Sequence, residues 1–233
     1  MRHEHAGRTW RIPAADALGH AVAKWRQPYI YSAGEIARLL RAAAALQPAA
    51  SFRPTTYATL LGLLTATSIR IAEALALQID DAMPDGLVIR ETKFQKSRLL
   101  PLHPTVRQAI DRYLLARRSV ITADRALFLS ASGGPLPYNT VRGTFLQLLA
   151  RTDLKGANSG RDPRIHDLRH TFAVRSLEQC SHDRATVAQH IVALSTYLGH
   201  AHVTDTYWYL QATPVLMGQI AEAGEALLKG GAA

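Results

Sequence analysis

His166-Asp167-Leu168-Arg169-His170-Thr171-Phe172-Ala173 is the stretch on which the reading of this chain turns. On a helix, residues three apart share a face, so His166 and Arg169 point the same way and His170 stands one step round. His166 and His170 also have the i, i+4 spacing of two metal ligands. No Glu follows the first His, as a zinc-hydrolase helix requires, and Arg169 between them would repel a cation. The pattern therefore weighs against a metal site.

Upstream, Thr67-Ser68-Ile69-Arg70-Ile71-Ala72-Glu73-Ala74-Leu75 sets Arg70 at a helix start with Glu73 three residues on. An Arg there opposes the helix macrodipole unless it has another task, such as holding an anion beside the free N–H groups. Alone, the pair reads first as a surface i, i+3 ion pair. Thr92-Lys93-Phe94-Gln95-Lys96-Ser97-Arg98 puts three cations in a connection between two strand-like runs, a prong suited to a DNA groove or an ordinary solvated turn. Downstream, Gly199 of Leu198-Gly199-His200 suits a tight helix end. Thr204-Asp205-Thr206-Tyr207-Trp208-Tyr209-Leu210 is an aromatic cluster of the kind that more often fills a core than does chemistry.

The bulk numbers narrow the partner. Lys and Arg number 27 against 18 Asp and Glu, a net charge of +9 over 233 residues, and most of the cations are Arg. Planar guanidiniums fork onto phosphate oxygens, so the balance suits a polyanion. A hydrophobic share of 48% is enough for a real core. Apolar runs such as residues 60–64 are too short to cross a bilayer, and the first residues lack a secretory apolar stretch, so a cytoplasmic protein is expected. The single cysteine, Cys180, excludes an internal disulfide framework and reads as a small helix filler.

Residues 1–30 read as a polar, basic arm, with regular structure from Tyr31. Ser32-Ala33-Gly34-Glu35 is a capping box ahead of Ile36, Leu39, Leu40, Ala43 and Leu46 at helical spacing. Pro54 suits the start of a second helix, residues 71–77 form a third, and Pro104 opens a fourth through Leu114. Residues 86–90 and 98–102 read as a hairpin, 126–129 as one more short strand, and the chain from Tyr138 is helical apart from residues 156–163 and Gly199. The expected fold is mainly α, with a small antiparallel sheet.

Taken together, Arg70, Lys93, His166-x-x-Arg169, Leu198-Gly199-His200 and Tyr209 resemble, in order and approximate spacing, the signature of the tyrosine recombinase (phage integrase) family. Residues 68–75 resemble that family's first arginine box, 166–173 its second, and 198–200 with Thr206 and Tyr209 its third box and nucleophile. Arg98-Leu99-Leu100-Pro101-Leu102 resembles the strand after the family's catalytic lysine, which identifies that lysine with Lys93. The resemblance covers about residues 30–225, and the wording around Tyr197–Leu210 is closer to integrases of mobile elements than to chromosome-dimer resolvases.

What the resemblance implies is a catalytic domain over residues 31–233 that cleaves and rejoins double-stranded DNA through a 3′-phosphotyrosine. Arg70 and Arg169 would hold the non-bridging oxygens, His166 and His200 would add hydrogen bonds and help move the tyrosine proton, and Lys93 would protonate the leaving 5′-oxygen. Glu73 would orient Arg70. A phosphotyrosine stores the phosphodiester energy, so neither ATP, metal nor another cofactor is expected. Two departures stand out. The family's separate core-binding domain does not fit in the thirty residues before Tyr31, and Asp205-Thr206 replaces a usual Thr-Thr pair. The implied partners are DNA and further copies of the chain, a tetramer on DNA and a monomer or weak dimer without it, with the segment carrying Leu216, Ile220, Ala223 and Leu227 as a docking helix. The rival readings are a topoisomerase-like nicking and resealing enzyme and a DNA-binding regulator that kept the fold without recombining.

Overall fold

The computed structural model describes residues 27–90, 97–156, 162–179, 184–200 and 202–211. Lys93, Cys180 and the proposed docking helix after Pro214 lie outside them, as does the basic arm up to residue 26. The elements are α1 (Ala33–Ala44), α2 (Arg53–Thr67), α3 (Ile71–Ala76), β1 (Ala82–Met83), β2 (Gly86–Ile89), β3 (Arg98–Leu100), α4 (Pro104–Arg117), α5 (Tyr138–Arg151), α6 (Ile165–Glu178), α7 (Arg184–Leu198) and α8 (Thr204–Gln211).

Local chemistry sets the helix starts. Ser32 Oγ accepts from the Glu35 N–H at 3.2 Å and Glu35 Oε2 accepts from the Ser32 N–H at 2.6 Å, the reciprocal cap expected for α1. At α6, the fully buried Asp167 reaches back to accept the Arg164 N–H at 2.8 Å and the Arg164 guanidinium at 3.2 Å. Its negative charge also sits at the favourable end of the helix dipole. Pro54 lies in the first turn of α2, which ends where Ser68 takes the left-handed conformation, φ 57°.

Helix α2 is the axle of the molecule. It packs against α1, α4 and α6, and Leu60, Leu61, Leu63 and Leu64 are all buried. A helix covered on several sides needs no single apolar stripe, which is why its sequence reads as apolar all round. The sheet runs β1-β2-β3, antiparallel throughout, with Leu87 opposite Leu100, Val88 opposite Leu99 and Ile89 opposite Arg98. Leu87, Ile89 and Leu100 face the core while Leu99 is exposed, the alternation a one-sided sheet requires. Gly86, at φ 150°, lies so close to the Leu100 carbonyl that a Cβ would collide with it.

The expected strand at 126–129 is not one. Leu127 donates to the Leu77 carbonyl at 2.7 Å, whereas Phe128 O accepts from Leu136, so the segment bonds two different neighbours and makes only isolated bridges. Ala126, Leu127, Phe128 and Leu129 are buried one after another, and a run of apolar residues carries no period to separate strand from buried loop. Pro135, opposite Leu129, has no N–H with which to continue a ladder.

A second, smaller core joins Ala173, Val174 and Leu177 of α6 to Ile191, Leu194 and Leu198 of α7 and Tyr209 of α8. The incoming chain is laced along α6. The Tyr31 N–H donates to Thr171 Oγ1 at 3.0 Å, the Tyr31 carbonyl accepts from Arg175 at 2.5 Å, and the ring is fully buried. Because α2 carries the main core, Leu60→Ala should cost about 2–5 kcal/mol, the usual range for truncating a fully buried leucine. Urea unfolding followed by circular dichroism measures it, and a loss well under 1 kcal/mol would show that α2 is not the axle.

Candidate active site

Arg169 stands at the meeting point of four helices. Its side chain, 3% exposed, donates to the Ser68 carbonyl at 2.5 Å and the Leu198 carbonyl at 2.8 Å, and Tyr209 lies close enough to interact with it electrostatically. Those groups are the end of α2, the end of α7 and the middle of α8. Ser68 Oγ returns a bond to the Arg169 carbonyl at 3.3 Å. No carboxylate lies within ion-pair distance of Arg169 among the described residues. Burial, partly offset by Tyr209 and worsened by Arg70, lowers its pKa to about 10, so it remains charged at neutral pH.

Arg70 is the residue at which α3 begins. Its backbone N–H and its guanidinium both donate to Glu73, at 3.0 and 2.8 Å, and a second guanidinium nitrogen donates to the Gly199 carbonyl at 3.2 Å. The side chain is 32% exposed, so its remaining donors stay open to solvent. The pair is not a simple surface ion pair, because Glu73 is nearly buried and is also gripped by Arg98 through both oxygens, at 3.2 and 2.9 Å. Despite its burial, the bonds from Arg98 and Arg70 hold the Glu73 carboxyl below its ordinary pKa.

Three histidines and Tyr209 complete the cluster. The His166 ring, exposed at the first turn of α6, meets His170 edge-on at 4.7 Å. The Tyr209 ring lies 5.5 Å from His170 and is stacked at 6.0 Å on His200. His200 Nδ1 is fixed by the fully buried Thr206 hydroxyl at 2.8 Å. Burial, then the guanidiniums of Arg169 and Arg70, lowers His200 to about 4. Burial and neighbouring His166 lower His170 to about 3. His166 is lowered as well, by the dense protein behind its exposed ring and by Arg169 and Arg164. The rings are therefore neutral at neutral pH, able both to donate and to accept, beside two permanent cations.

Of the residues singled out in the sequence, Arg70, His166, Arg169, His200 and Tyr209 come together, while Lys93 lies outside the described residues. Arg98, Ser68, Thr206 and His170 also join the site. The sequence marked Ser68 and Thr206 only as members of the family-like boxes, Arg98 as part of the cationic prong and its strand, and His170 as a neighbour of the two residues on the decisive face, with no role assigned to any of them. Among the described residues, no group of three His, Cys, Asp or Glu is spaced to hold a metal ion.

The depressed histidines make stability depend on pH. Unfolded histidine has a pKa of about 6.5. Below that value the unfolded chain takes up protons that the folded His200 refuses until about pH 4 and His170 until about pH 3. The unfolded state then binds more protons, so stability falls as pH drops through this window. The thermal midpoint should decline steadily from pH 7 to 5, and His170→Gln should flatten the decline. A wild-type midpoint that is level over this range would contradict the neutral assignment.

The chain has recognisable relatives among known proteins. The Phage integrase family model matches residues 31–214. The Sinorhizobium fredii (strain NBRC 101917 / NGR234) protein y4rB, whose name assigns it to the integrases and recombinases, is 40% identical over 202 residues, 83% of this chain and 64% of that protein. The chain thus spans less than two-thirds of that relative's length. The fold is similar to that of the XerA recombinase, with a TM-score of 0.67 and 23% identity over 85% of this chain and 64% of that one. It is also similar to the XerH site-specific recombinase in a post-cleavage complex with its palindromic difH substrate, with a TM-score of 0.65 and 20% identity over 86% of this chain and 54% of that one. With a family match across residues 31–214 and a catalytic-domain fold of this kind, the chain belongs to the phage integrase family of tyrosine recombinases.

Proposed function

We propose that this chain breaks and rejoins double-stranded DNA as a site-specific recombinase, with residues 31–233 as its catalytic domain and Tyr209 as nucleophile. The observation that carries the reading is the Tyr209 ring set against His200 and His170, with Tyr209 beside the buried Arg169 guanidinium. A guanidinium with no carboxylate is a costly neighbour for a core tyrosine unless an anion is to come.

In the reaction, the Tyr209 oxygen forms a bond to phosphorus as the P–O5′ bond breaks, and the electron pair leaves on the 5′-oxygen. Arg169 and Arg70 bind the non-bridging oxygens, where negative charge grows, and their grip strengthens toward the transition state. The phenol must lose its proton to attack. The neutral rings of His200 and His166 are the available acceptors, and the Thr206 hydroxyl keeps His200 oriented. Lys93 protonates the 5′-oxygen. Reversal, with a 5′-hydroxyl of another strand attacking the phosphotyrosine, completes rejoining without an added energy source.

DNA as partner is supported by the net charge of +9 and by a cleft of about 630 Å³ beside His166, whose walls include Arg142 and Arg164. Recombination joins two sites, so copies of the chain assemble on DNA, and we propose a cyclic tetramer as the working form.

Tyr209→Phe should abolish covalent protein–DNA adducts on a nicked trapping substrate, while DNA affinity measured by gel shift changes less than about threefold, since one hydroxyl is removed from a large polar contact. Adducts that persist in Tyr209→Phe and vanish in Tyr207→Phe would reassign the nucleophile. Lys93→Ala should slow cleavage by about 10²–10⁴-fold, the usual worth of a general acid, on an ordinary 5′-oxygen. A 5′-thio leaving group departs without a proton, so the loss should nearly vanish there. Equal losses on the two substrates would make Lys93 a phosphate contact.

A further inference from the structure

Glu73 receives four N–H donors. Two come from Arg70, the backbone N–H at 3.0 Å and the guanidinium at 2.8 Å, and two come from Arg98, at 3.2 and 2.9 Å. A carboxylate offers about four acceptor positions, so the group is saturated. With Arg70 alone the carboxylate could swing about its bond to the chain. The two-pronged contact from Arg98, one nitrogen on each oxygen, fixes its plane.

Arg98 also touches the other partner of Arg70. Its guanidinium fills the space over the Cα of Gly199, where an added Cβ would collide with it, and the Gly199 backbone has φ 67°. The carbonyl of that residue accepts from Arg70 at 3.2 Å. Arg98 thus braces both supports of Arg70, the carboxylate and the turn between α7 and His200. Its side chain is only 16% exposed and its Nε is buried, so it has little surface to offer a ligand. It is also the first residue of β3, directly after the 90–97 connection, and is paired with Ile89, so the same bond ties the base of the hairpin to α3.

We infer that Arg98 is a positioning residue for the chemical step, holding Arg70 on the scissile phosphate by clamping Glu73 and packing on Gly199. The inference rests on the reading of Arg70 as a ligand of that phosphate. An ion pair that merely fastened β3 to α3 would affect melting and every substrate alike. A positioning residue acts through Arg70 and through the charge Arg70 meets.

The test is single-turnover strand scission by wild type, Arg98→Ala, Arg98→Lys, Arg70→Ala and Arg70→Ala/Arg98→Ala. Each is tried on DNA with an ordinary scissile phosphodiester and on DNA with an uncharged methylphosphonate there. Circular dichroism and melting accompany every variant. On the phosphodiester, Arg98→Ala should lose about 30–100-fold and Arg98→Lys, which keeps the charge but not the fork, about tenfold. On the methylphosphonate both losses should shrink to within about threefold, as that of Arg70→Ala does, because a neutral phosphorus centre makes less use of a guanidinium. In the Arg70→Ala background, Arg98→Ala should add less than about threefold, since the residue it positions is gone. If Arg98→Ala does not fold, Arg98→Lys and Arg70→Ala/Arg98→Lys carry the same comparison. Wild-type rates in the Arg98 variants, equal losses on the two substrates, or additive losses in the double variant each overturn the inference. A wild-type protein that scissions neither substrate overturns the functional reading beneath it, whereas an active wild type with failed Arg98 expectations overturns the inference alone.

Discussion

The arrangement depends on a buried positive charge that has no carboxylate within ion-pair distance among the described residues. Taking a guanidinium out of water is expensive, and in a protein interior the cost persists at several kcal/mol per ion unless its donors are met. Around Arg169 they are met by the Ser68 and Leu198 carbonyls. Both carbonyls sit where helices stop. The final carbonyls of a helix lack partners within it and carry the negative end of the dipole, so two helix ends aimed at one cation supply partial negative charge without a proton to exchange. The packing of α2, α7 and α8 on α6 and the solvation of Arg169 are one requirement.

The histidines follow from that charge. With Arg70 and Arg169 fixed, a third positive charge is disfavoured, and His200 is held neutral by burial and by the two arginines. A phosphate brought among them would reverse the balance, since an anion favours the protonated ring. The cluster is thus organised before its ligand arrives, with hydrogen bonds already aimed, and little reorganisation remains for the chemical step. Glu73, the one carboxylate among the described residues that is ion-paired with Arg70 and Arg98, neutralises one of them but not both, so the site stays attractive to an anion.

Much of this could be read from the sequence, for reasons that separate what was seen from what was not. The α1 capping box spans four residues and is visible locally, as are the Arg70–Glu73 and His166–Arg169 spacings on helical faces. Arg98 was legible as a prong cation and a strand residue but not as a partner of Glu73, because that tie crosses 25 residues. Thr206 was legible as a member of the third box, but its role shows only when its hydroxyl is seen inside, bonded to His200. The left-handed turn at Ser68 carries no glycine to announce it, and β1 is two residues long, too short for any pattern. The segment at 126–129 misled because unbroken burial looks the same in a strand and in a loop.

The lacing of Tyr31 onto α6 has a mechanical consequence. Thr171 and Arg175, which hold that backbone, belong to the same rigid rod as Arg169, and no slack loop intervenes between them. The strap and the helix act in series, like a tendon inserted directly on bone. Displacement of the chain just before Tyr31 is transmitted to the rod that carries His166 and Arg169, so the two ends of the molecule's working part share one degree of freedom.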